Sequence, residues 1–482
     1  MTTAIVWFRR DLRLVDNPAL HAALSAHDNL VCVYIHAPEE EAPWAPGAAS
    51  RWWLHHSLAA LGEALEQRGT SLHIVRGPTQ AALDALQRQT GAGAIFWNRL
   101  YEPALIARDN TIKARLREQG CDAHSFNANL LIEPWQVQTG QGGPYRVFTP
   151  FWRNARTRIE PRAPIPAPRR IATTSVRGGV TLESLRLLPR VGWDSEFGEH
   201  WQPGEAGARK LMGAFSSRAL GAYRERRDWP GEAGTSRLSP HLHFGEIGPR
   251  QIVWTLEEHA RRGGSPSSDH ETFLRELGWR EFAHHLLYHF PQMAQRNLDA
   301  KFDAFAWASE DVLETCWRRG RTGIPIVDAG MRQLWKSGWM HNRVRMIVAS
   351  FLTKNLRRHW LHGARWFWDT LVDADLANNS QGWQWTAGSG ADAAPYFRIF
   401  NPVSQALRFD PEGKYVRRWV PELAKLAAPL IHEPWKDPGM LEATGYPAPI
   451  VDLGQSRQAA LAAYQALRVG APIAGRPDRP DP

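Results

Sequence analysis

The chain has 482 residues, of which 43% are hydrophobic and 22% charged, and it carries a formal net charge of +9. Its length predicts two or three domains, and its balance of apolar and charged residues excludes a disordered chain. No apolar run approaches the roughly 20 residues of a membrane-spanning helix, and no secretory signal precedes the first strand-like run. We therefore expect neither a membrane protein nor a secreted one.

Residue usage narrows the class further. Cys32, Cys121 and Cys316 stand far apart, which excludes a disulfide framework and a cysteine-based zinc site and favours a reducing cytoplasm. Lys and Arg outnumber Asp and Glu by 58 to 49, which favours a polyanionic partner such as nucleic acid. The 23 tryptophans exceed what core packing usually requires. Large aromatic cores, base stacking and electron transfer are the alternative explanations.

Residues 1–130 alternate short apolar runs with amphipathic stretches. The runs that predict strands cover residues 5–8, 30–35, 72–75, 94–97 and 122–126, and the stretches that predict helices start near residue 16 and cover 51–67, 79–89 and 103–119. This alternation predicts an α/β domain with a doubly wound parallel sheet. No Gly-x-Gly-x-x-Gly follows any of the strands, so the usual dinucleotide and P-loop signatures are missing.

The remainder of the chain changes character twice. Residues 131–200 predict an interdomain linker, because four prolines and five arginines fall between residues 156 and 170. A solvated basic loop is favoured there over a phosphate contact. Residues 201–470 show helical apolar spacing almost throughout, which predicts a large all-helical domain. Residues 471–482 are predicted to be a disordered tail.

A polar segment precedes a predicted helix in the helical domain. Thr235-Ser236-Arg237-Leu238-Ser239 supplies hydroxyls, backbone amides and one cation, which suit a phosphate at a helix N-terminus. An ordinary helix cap with a surface arginine also explains these residues, and the five residues alone favour that interpretation. His241 and His243 follow, but no third ligand is near, so no metal site is predicted.

Two further helical segments place polar and aromatic side chains on shared faces. Glu276 and Trp279 are three residues apart, and Asn342 and Met346 are four apart. A carboxylate, an indole, an amide and a thioether would together line a pocket for a flat polar ligand. Two amphipathic helices packed on a core explain the spacing as well, and spacing alone favours that interpretation.

Two more stretches carry a resemblance to a known family. They are Trp7-Phe8-Arg9-Arg10-Asp11-Leu12-Arg13 and the run Asp373-Ala374-Asp375-Leu376-Ala377-Asn378-Asn379-Ser380-Gln381-Gly382-Trp383-Gln384-Trp385. With the segments above, the sequence resembles the cryptochrome/photolyase family over nearly its whole length, and most of all the bacterial DNA photolyases that repair cyclobutane pyrimidine dimers. The resemblance implies an N-terminal Rossmann-like α/β domain, a linker and a helical domain that holds FAD, active in its reduced form FADH⁻.

The resemblance also implies which residues hold FAD. Arg345 and Asp373 would form an ion pair beside the flavin, Asp375 would lie at its ring, and Asn379 would sit against N5. The full implied set is Tyr223, Thr235, Ser236, Arg237, Leu238, Ser239, Arg345, Asp373, Asp375 and Asn379.

For repair, the resemblance implies that the dimer is flipped out of the duplex and split by one electron from excited FADH⁻. The residues implied for lesion binding and catalysis are Glu276, Asn342, Met346 and Trp385. Those implied for DNA contact are Glu276, Trp279, Arg280, Asn342, Arg343 and Trp385. Glu276 would hydrogen-bond a pyrimidine carbonyl, and Trp279 and Trp385 would stack on the flipped bases.

Three tryptophans match the family's electron-transfer chain. Trp307, Trp360 and Trp383 would carry electrons from the surface to oxidised FAD, although core packing explains each of them from spacing alone. Folate-binding relatives have an acidic residue a few positions after a Tyr-Glu pair, whereas Tyr101-Glu102 leads into Pro103-Ala104-Leu105-Ile106. This weakens the case for a folate in the usual cleft, and the antenna chromophore stays open between a deazaflavin, another flavin, a folate at an unusual site and none.

Two other functions within the family remain as alternatives. Photolyases for the (6-4) photoproduct place a histidine pair where this chain has Asn342 and Met346, which favours the cyclobutane dimer. A flavin-binding cryptochrome photoreceptor would share the fold and the tryptophan chain but would have no need of the lesion pocket. The expected partner is UV-damaged DNA, bound by a monomer in the bacterial cytoplasm at the nucleoid, with no obligate protein partner.

Overall fold

The structure, a computed structural model, describes residues 1–263, 267–392 and 397–469. The predicted tail, residues 471–482, lies outside the described residues. Contacts divide the chain into two compact units. The first unit consists of residues 1–294, 332–342 and 365–380, and the second of residues 295–331, 343–364 and the chain from 381 onward. The domain boundaries expected near residues 130, 200 and 470 remain predictions.

The first unit contains the predicted parallel sheet, which is confirmed. Its five strands are ordered β3-β2-β1-β4-β5, and every neighbouring pair is parallel. The strands are β1 (Thr3–Phe8), β2 (Asn29–His36), β3 (Leu72–Arg76), β4 (Ala94–Asn98) and β5 (Asp122–Phe126). In the central strand, Val6 and Phe8 pack into one apolar cluster while Ile5 and Trp7 pack into another. Helices cover both faces, so the strand has no polar side.

Helices make up most of the remaining described chain. Four alternate with the strands: α1 (Pro18–Ala26), α2 (Ala48–Glu66), α3 (Thr79–Thr90) and α4 (Pro103–Glu118). Those that follow are α5 (Phe148–Arg156), α6 (Phe197–His200), α7 (Glu205–Arg218), α8 (Tyr223–Arg226), α9 (Ser239–His243), α10 (Pro249–Gly263), α11 (Ser268–His289), α12 (Asp311–Arg318), α13 (Pro325–Ser337), α14 (Asn342–Ser350), α15 (Trp360–Thr370), α16 (Leu376–Ala387), α17 (Pro402–Phe409), α18 (Lys414–Trp419), α19 (Pro438–Thr444) and α20 (Leu453–Val469). Among the described residues, no helix combines the length and the apolar character that crossing a bilayer requires.

The segment predicted as a linker is bound to the sheet for part of its length. Leu30 donates its backbone N–H to the carbonyl of Ala172 at 2.8 Å, and Val180 donates to the carbonyl of Ile74 at 2.8 Å. These bonds satisfy main-chain groups of β2 and of the outer strand β3 that would otherwise lack a partner in the sheet. The guanidinium-bearing residues Arg169 and Arg170 are exposed.

A fully buried cation joins three parts of the first unit. The Arg13 guanidinium donates to the carbonyl oxygens of Val15, Asp16, Ala128 and Gly245, at 3.1, 2.9, 3.0 and 2.8 Å. It therefore holds together the loop after β1, the loop after β5 and the turn after α9. The five fixed donors of a guanidinium suit this task, because each buried carbonyl needs a partner.

The turn after α9 requires glycine at one position. Gly245 has φ of +66°, and a Cβ placed on it would lie 2.2 Å from the carbonyl oxygen of Arg10. Only glycine combines this backbone conformation with so close an approach. The motif Trp7 to Arg13 is thus a structural junction at the carboxyl end of the central strand.

We expect Arg13→Met to lower the free energy of unfolding by about 3 kcal/mol or more, because four carbonyls, three of them buried, lose their donor. Urea unfolding followed by circular dichroism measures the change. The matched control is Arg88→Met, which removes an exposed arginine and should change stability by less than about 0.5 kcal/mol. Equal midpoints for the two variants would contradict the role of Arg13.

Candidate functional site

The polar segment before α9 forms a turn that is held by two tryptophans, Trp201 and Trp339. Arg237 has φ of +54°, and its guanidinium lies over two indole rings, with 4.2 Å to the Trp201 centroid and 5.2 Å to that of Trp339. The Trp339 N–H donates to the Ser239 hydroxyl at 3.3 Å. The cation is thus fixed by aromatic faces, and the strained turn is held in one conformation.

The hydroxyl groups of this turn remain accessible. Thr235 and Ser236 are partly exposed and Ser239 is exposed, whereas Leu238 is buried in the core. Tyr223 is also buried and packs edge-on against Phe273, with 5.1 Å between centroids. Burial raises the pKa of the Tyr223 phenol. Hydroxyls, backbone and a fixed cation can therefore contact an anionic group, while Leu238 and Tyr223 support the turn from behind.

Asp375 occupies the N-cap position of α16. Its Oδ1 accepts from the Asn378 N–H at 2.9 Å and from the Asn378 side-chain amide at 2.7 Å. Asn379 follows, partly buried, and donates its N–H to the carbonyl of Asp375 at 2.8 Å. An N-cap aspartate is ordinary at a helix start, but its second oxygen here faces into the protein.

That second oxygen, Oδ2, meets two histidines. It lies 3.7 Å from Nδ1 of His243 and 3.5 Å from Nε2 of His284. Burial alone would raise the pKa of Asp375, but the attraction of His284, with a smaller contribution from His243, holds it well below its usual value. Neither histidine was singled out as a flavin-site residue by sequence, because their contact with Asp375 joins positions far apart in the chain.

Asp373 and Arg345 fall in different units. Asp373 is buried in the loop before α16, in the first unit, and Arg345 is partly buried on α14, in the second. The ion pair expected between them remains a prediction.

Glu276 on α11 is engaged by an arginine that sequence analysis missed. The Arg227 guanidinium contacts the Glu276 carboxylate at 2.5 Å, and both side chains are partly exposed. Burial alone would lower the pKa of Arg227, but the attraction of Glu276 outweighs it and raises the pKa. The pair is thus an oriented carboxylate and cation that a polar ligand can reach.

Trp279 is stacked face to face on a second aromatic ring. The Phe148 ring lies 3.7 Å from it, centroid to centroid, at an interplanar angle of 8°. Trp152 packs beside them, 6.4 Å from Phe148, over Gly278. A Cβ on Gly278 would lie 2.6 Å from the Trp152 ring. Glycine therefore makes room for Trp152. One face of the Trp279 ring is covered by Phe148 within the protein itself.

Two arginines near this stack have different environments. Arg280 donates to the carbonyl of Asn129 at 2.6 Å and contacts Glu281 at 3.3 Å. The positive charge of Arg280 is therefore paired within the protein, and its expected contact with DNA remains a prediction. Arg275 is exposed, with its guanidinium 5.4 Å from the Phe148 centroid.

The other predicted lesion residues lie on α14 and α16. Asn342 is exposed at the start of α14, in the first unit. In the second unit, Arg343 lies over Phe409 at 4.3 Å, Met346 is partly buried, and the Trp385 N–H donates to the carbonyl of Asp392 at 3.2 Å. Each unit thus presents some of the predicted set.

The three tryptophans of the expected electron-transfer chain all lie in the second unit. Trp383 packs against α15 at Gly363, where a Cβ would lie 2.0 Å from the indole. Trp360, one turn earlier on α15, is fully buried and donates to Asn297 at 2.8 Å. Trp307 is partly exposed.

The His359 imidazole lies between the indoles of Trp307 and Trp360. The His359 ring centroid is 5.1 Å from that of Trp307 and 5.6 Å from that of Trp360. Trp360 is buried and Trp307 partly exposed. The series thus runs from the interior of the unit towards its surface.

A cleft that is partly open to solvent lies in the first unit beside β1 and β2. Aromatic rings and charged groups line it, among them Trp7, Arg10, Tyr34, Glu41, Arg108 and His243. Glu102 holds Arg10 by an ion pair of 2.6 Å, and burial raises the pKa of Glu41. Such a lining suits a planar ligand with polar edges. Sequence analysis left this pocket unidentified.

No cluster of three or more His, Cys, Asp or Glu side chains suited to a metal ion occurs in the described part of the chain. His241 contacts Glu246 through Nδ1, and both side chains are buried. His243 faces Asp375 instead. The two histidines of this His-x-His sequence therefore point to different partners.

Comparison with known proteins finds two matching family models. One, described as DNA photolyase, matches residues 4–169, and the other, described as the FAD binding domain of DNA photolyase, matches residues 273–466. Together they cover the α/β sheet and most of the helical chain, which includes α11, α14 and α16.

Individual relatives match almost the whole of this chain. A deoxyribodipyrimidine photo-lyase from Agrobacterium fabrum is 48% identical over 476 residues, which is 96% of this chain and 98% of the relative. Cryptochrome-1 from Arabidopsis thaliana is 40% identical, over 94% of this chain and 69% of its own length. The crystal structure of a class III photolyase from Agrobacterium tumefaciens matches with a TM-score of 0.93 and 47% identity, over 97% of this chain and 98% of that one.

We expect Gly278→Ala to lower the free energy of unfolding by about 1–3 kcal/mol, because the new methyl group must displace the Trp152 ring. The matched control is Gly213→Ala on α7, where a Cβ meets nothing within 4 Å. That change should raise stability by up to ~1 kcal/mol. Chemical unfolding of both variants gives the two values, and a gain in stability for Gly278→Ala would contradict the packing described.

Proposed function

Because the chain belongs to the cryptochrome/photolyase family, we propose that it is a light-driven DNA repair enzyme, a deoxyribodipyrimidine photo-lyase that splits cyclobutane pyrimidine dimers with FAD. The observation that carries the proposal is the side-chain arrangement on α11. There Glu276 is oriented by Arg227, and Trp279 is stacked on Phe148 one turn away.

The residues of the first unit suit FAD. The accessible hydroxyls of Thr235 and Ser236, beside the fixed Arg237 cation, would bind the phosphates. Asp375 and Asn379, at the start of α16, would meet the polar edge of the flavin. When bound and reduced, FAD supplies the electron that opens the dimer after light is absorbed. The protein's part is to place the lesion and to set the electrostatics around the cofactor.

Glu276 is proposed to bind the flipped dimer. A carboxylate accepts from a pyrimidine N3–H, and a carboxylic acid donates to a pyrimidine carbonyl. Arg227 orients the group and compensates its charge. Excess negative charge on the dimer would then develop beside the Arg227 cation, which lowers its energy.

Trp279 is proposed to stack on the flipped bases. Because Phe148 already covers one face of its ring, the indole is held in one orientation and loses little freedom when a base stacks on its other face. The exposed Arg275 beside Phe148 would contact a DNA phosphate. Trp385, whose indole lies 5.4 Å from the Arg398 guanidinium, is proposed as a further aromatic surface for the bases.

The proposed lesion class is supported by Asn342 and Met346. Splitting the dimer needs an electron and its return but no acid–base group, whereas a (6-4) photoproduct calls for proton transfer. An amide and a thioether at these positions offer no group that titrates near neutral pH, which favours the cyclobutane dimer.

The tryptophan series of the second unit is proposed to reduce oxidised FAD in light. Electrons would enter at the partly exposed Trp307 and pass through the buried Trp360 to Trp383. A second, light-harvesting chromophore of folate or deazaflavin type is proposed for the cleft beside Tyr34 and Arg10. Its release on denaturation, seen as a second absorbing species, tests this assignment.

An anaerobic repair assay tests the proposed function. Reduced, FAD-loaded protein is incubated with a thymine-dimer oligonucleotide under blue light and in darkness, and restored absorbance of intact thymine is measured. Restoration in light alone is expected. The cryptochrome relative makes a photoreceptor the second candidate, and no restoration by flavin-loaded protein would favour it or a (6-4) enzyme.

We expect Glu276→Gln to lower the repair yield about three- to tenfold, because one strong hydrogen bond to the dimer is weakened. Affinity for dimer-containing DNA should fall by a smaller factor. The control is Glu271→Gln on the same helix, whose exposed carboxylate pairs with Arg156 and whose loss should change neither quantity. Equal losses of yield and affinity for Glu276→Gln would contradict the role proposed.

We expect Trp307→Phe to block photoreduction of oxidised FAD while repair by chemically reduced protein is retained. Absorbance of the flavin under blue light with a thiol reductant measures the first quantity, and the repair assay the second. Trp254→Phe, on α10, is the control and should photoreduce normally. Unchanged photoreduction in Trp307→Phe would remove this residue from the chain.

A further inference from the structure

Two consecutive buried histidines of α11 have opposite hydrogen-bond surroundings. Nε2 of His285 accepts the backbone N–H of Tyr145 at 3.0 Å, so this nitrogen carries no proton. Nδ1 of the same ring lies 3.1 Å from the carbonyl oxygen of Pro134 and therefore carries one. The ring is neutral, and burial accordingly lowers the pKa of His285 to about 4.

His284 faces acceptors with both of its ring nitrogens. Nδ1 lies 3.0 Å from the carbonyl oxygen of Arg280, and Nε2 lies 3.5 Å from Oδ2 of Asp375. A carbonyl and an ionised carboxylate can only accept, so these two contacts favour a proton on each nitrogen, which is the imidazolium form. Burial alone would lower the pKa of His284, but the attraction of Asp375 outweighs it and raises the pKa.

The other charged groups near His284 leave this assignment intact. Arg280 is itself compensated by Glu281, whose carboxylate accepts the N–H groups of Leu131 and Ile132. The Tyr101 ring lies edge-on, 6.4 Å away, and burial, with the negative charge of Glu133, raises the pKa of its phenol, so it stays neutral.

The Asp375 side of the pair has two further neighbours. His243 faces the same carboxylate oxygen at 3.7 Å, but burial lowers its pKa and keeps it neutral. Arg10 acts on Asp375 from a greater distance and is bound to Glu102 and Glu41. Asp375 and His284 are therefore each other's charge partner.

We propose that His284 is a positioning residue, held as an imidazolium, that keeps Asp375 ionised and oriented at the flavin site, so that the bound flavin meets a neutral ion pair. The inference rests on the proposed FAD site. Reduced FAD is an anion, and a lone carboxylate at its ring would disfavour it by charge repulsion. With His284 charged, Asp375 keeps its hydrogen-bonding oxygens without opposing reduction.

The charge of His284 is tested without any variant. Protein labelled with ¹⁵N-histidine is examined by NMR, with and without FAD, from pH 6 to pH 9. His284 should show two protonated ring nitrogens at pH 7.5, and His285, the internal control, a single neutral tautomer. A neutral pattern for His284 at pH 7.5 would overturn the proposal. Because the apoprotein gives the same readout, this test stands even where FAD does not bind.

The charge of His284 should also appear in the pH dependence of the apoprotein's free energy of unfolding. A raised pKa means that the contribution of His284 is complete below the ordinary histidine pKa of about 6.5 and is lost as pH rises through the folded-state value. His285 has the opposite sign, since its contribution is present above about 6.5 and is lost as pH falls towards 4. His284→Gln should remove the first loss and keep the second. An unchanged pH profile would contradict the pairing.

The effect on the cofactor is tested by the midpoint potential of bound FAD at pH 8. His284→Gln keeps one N–H for Asp375 but removes the charge, and it should weaken the preference for reduced FAD about tenfold, ~30 mV for a two-electron couple. His284→Arg, which retains the charge, should restore the potential. The same potential in all three proteins would overturn the electrostatic role while leaving FAD binding and repair intact.

Discussion

A single buried guanidinium allows three chain segments to meet inside the first unit. The carbonyls that Arg13 binds belong to the loops after β1 and β5 and to the turn after α9. Buried carbonyls without donors cost about 1–3 kcal/mol each, so these segments could not converge around an apolar side chain. The turn that Arg13 holds at Gly245 follows His243 directly, and His243 faces Asp375. The α/β sheet is thereby coupled to the start of α16, where the flavin edge is proposed to lie.

The sheet was predictable because its signal is local. Strands β1 to β4 are short, mainly apolar runs between turn residues, whereas β5 is largely polar. β1 packs into clusters on both faces, so its pattern is continuous rather than alternating. The motifs also located Glu276, Trp279 and Asp375 by resemblance. The motifs did not identify the residue that each of these side chains contacts. Arg227, Phe148 and His284 each lie far in sequence from the residue they contact, and no helical or strand period links such positions. The cleft beside Tyr34 and Arg10 was missed for the same reason, since its lining comes from several separate segments.

Functional side chains concentrate on α11 because a long helix can serve several environments at once. Its 22 residues place Glu276 and Trp279 at partly exposed positions and His284 against Asp375. Asp375, in turn, joins helix capping to electrostatics, since one oxygen caps α16 while the other binds the imidazolium. Stability and cofactor tuning therefore depend on the same carboxylate, which limits how freely either can change.

The neighbouring pair His284 and His285 shows how finely α11 is set in register. Successive residues on a helix point about 100° apart, so a charged and a neutral imidazole can be adjacent in sequence and still occupy separate environments. Inserting or deleting one residue near the start of α11 would turn every later side chain by that angle. Gly278 would then no longer lie under the Trp152 ring, and His285, whose site suits a neutral ring, would turn towards the Asp375 carboxylate. Substitutions can be tolerated along this helix one at a time, but a change in its length alters all of its environments together, so α11 should keep a fixed length as the sequence diverges.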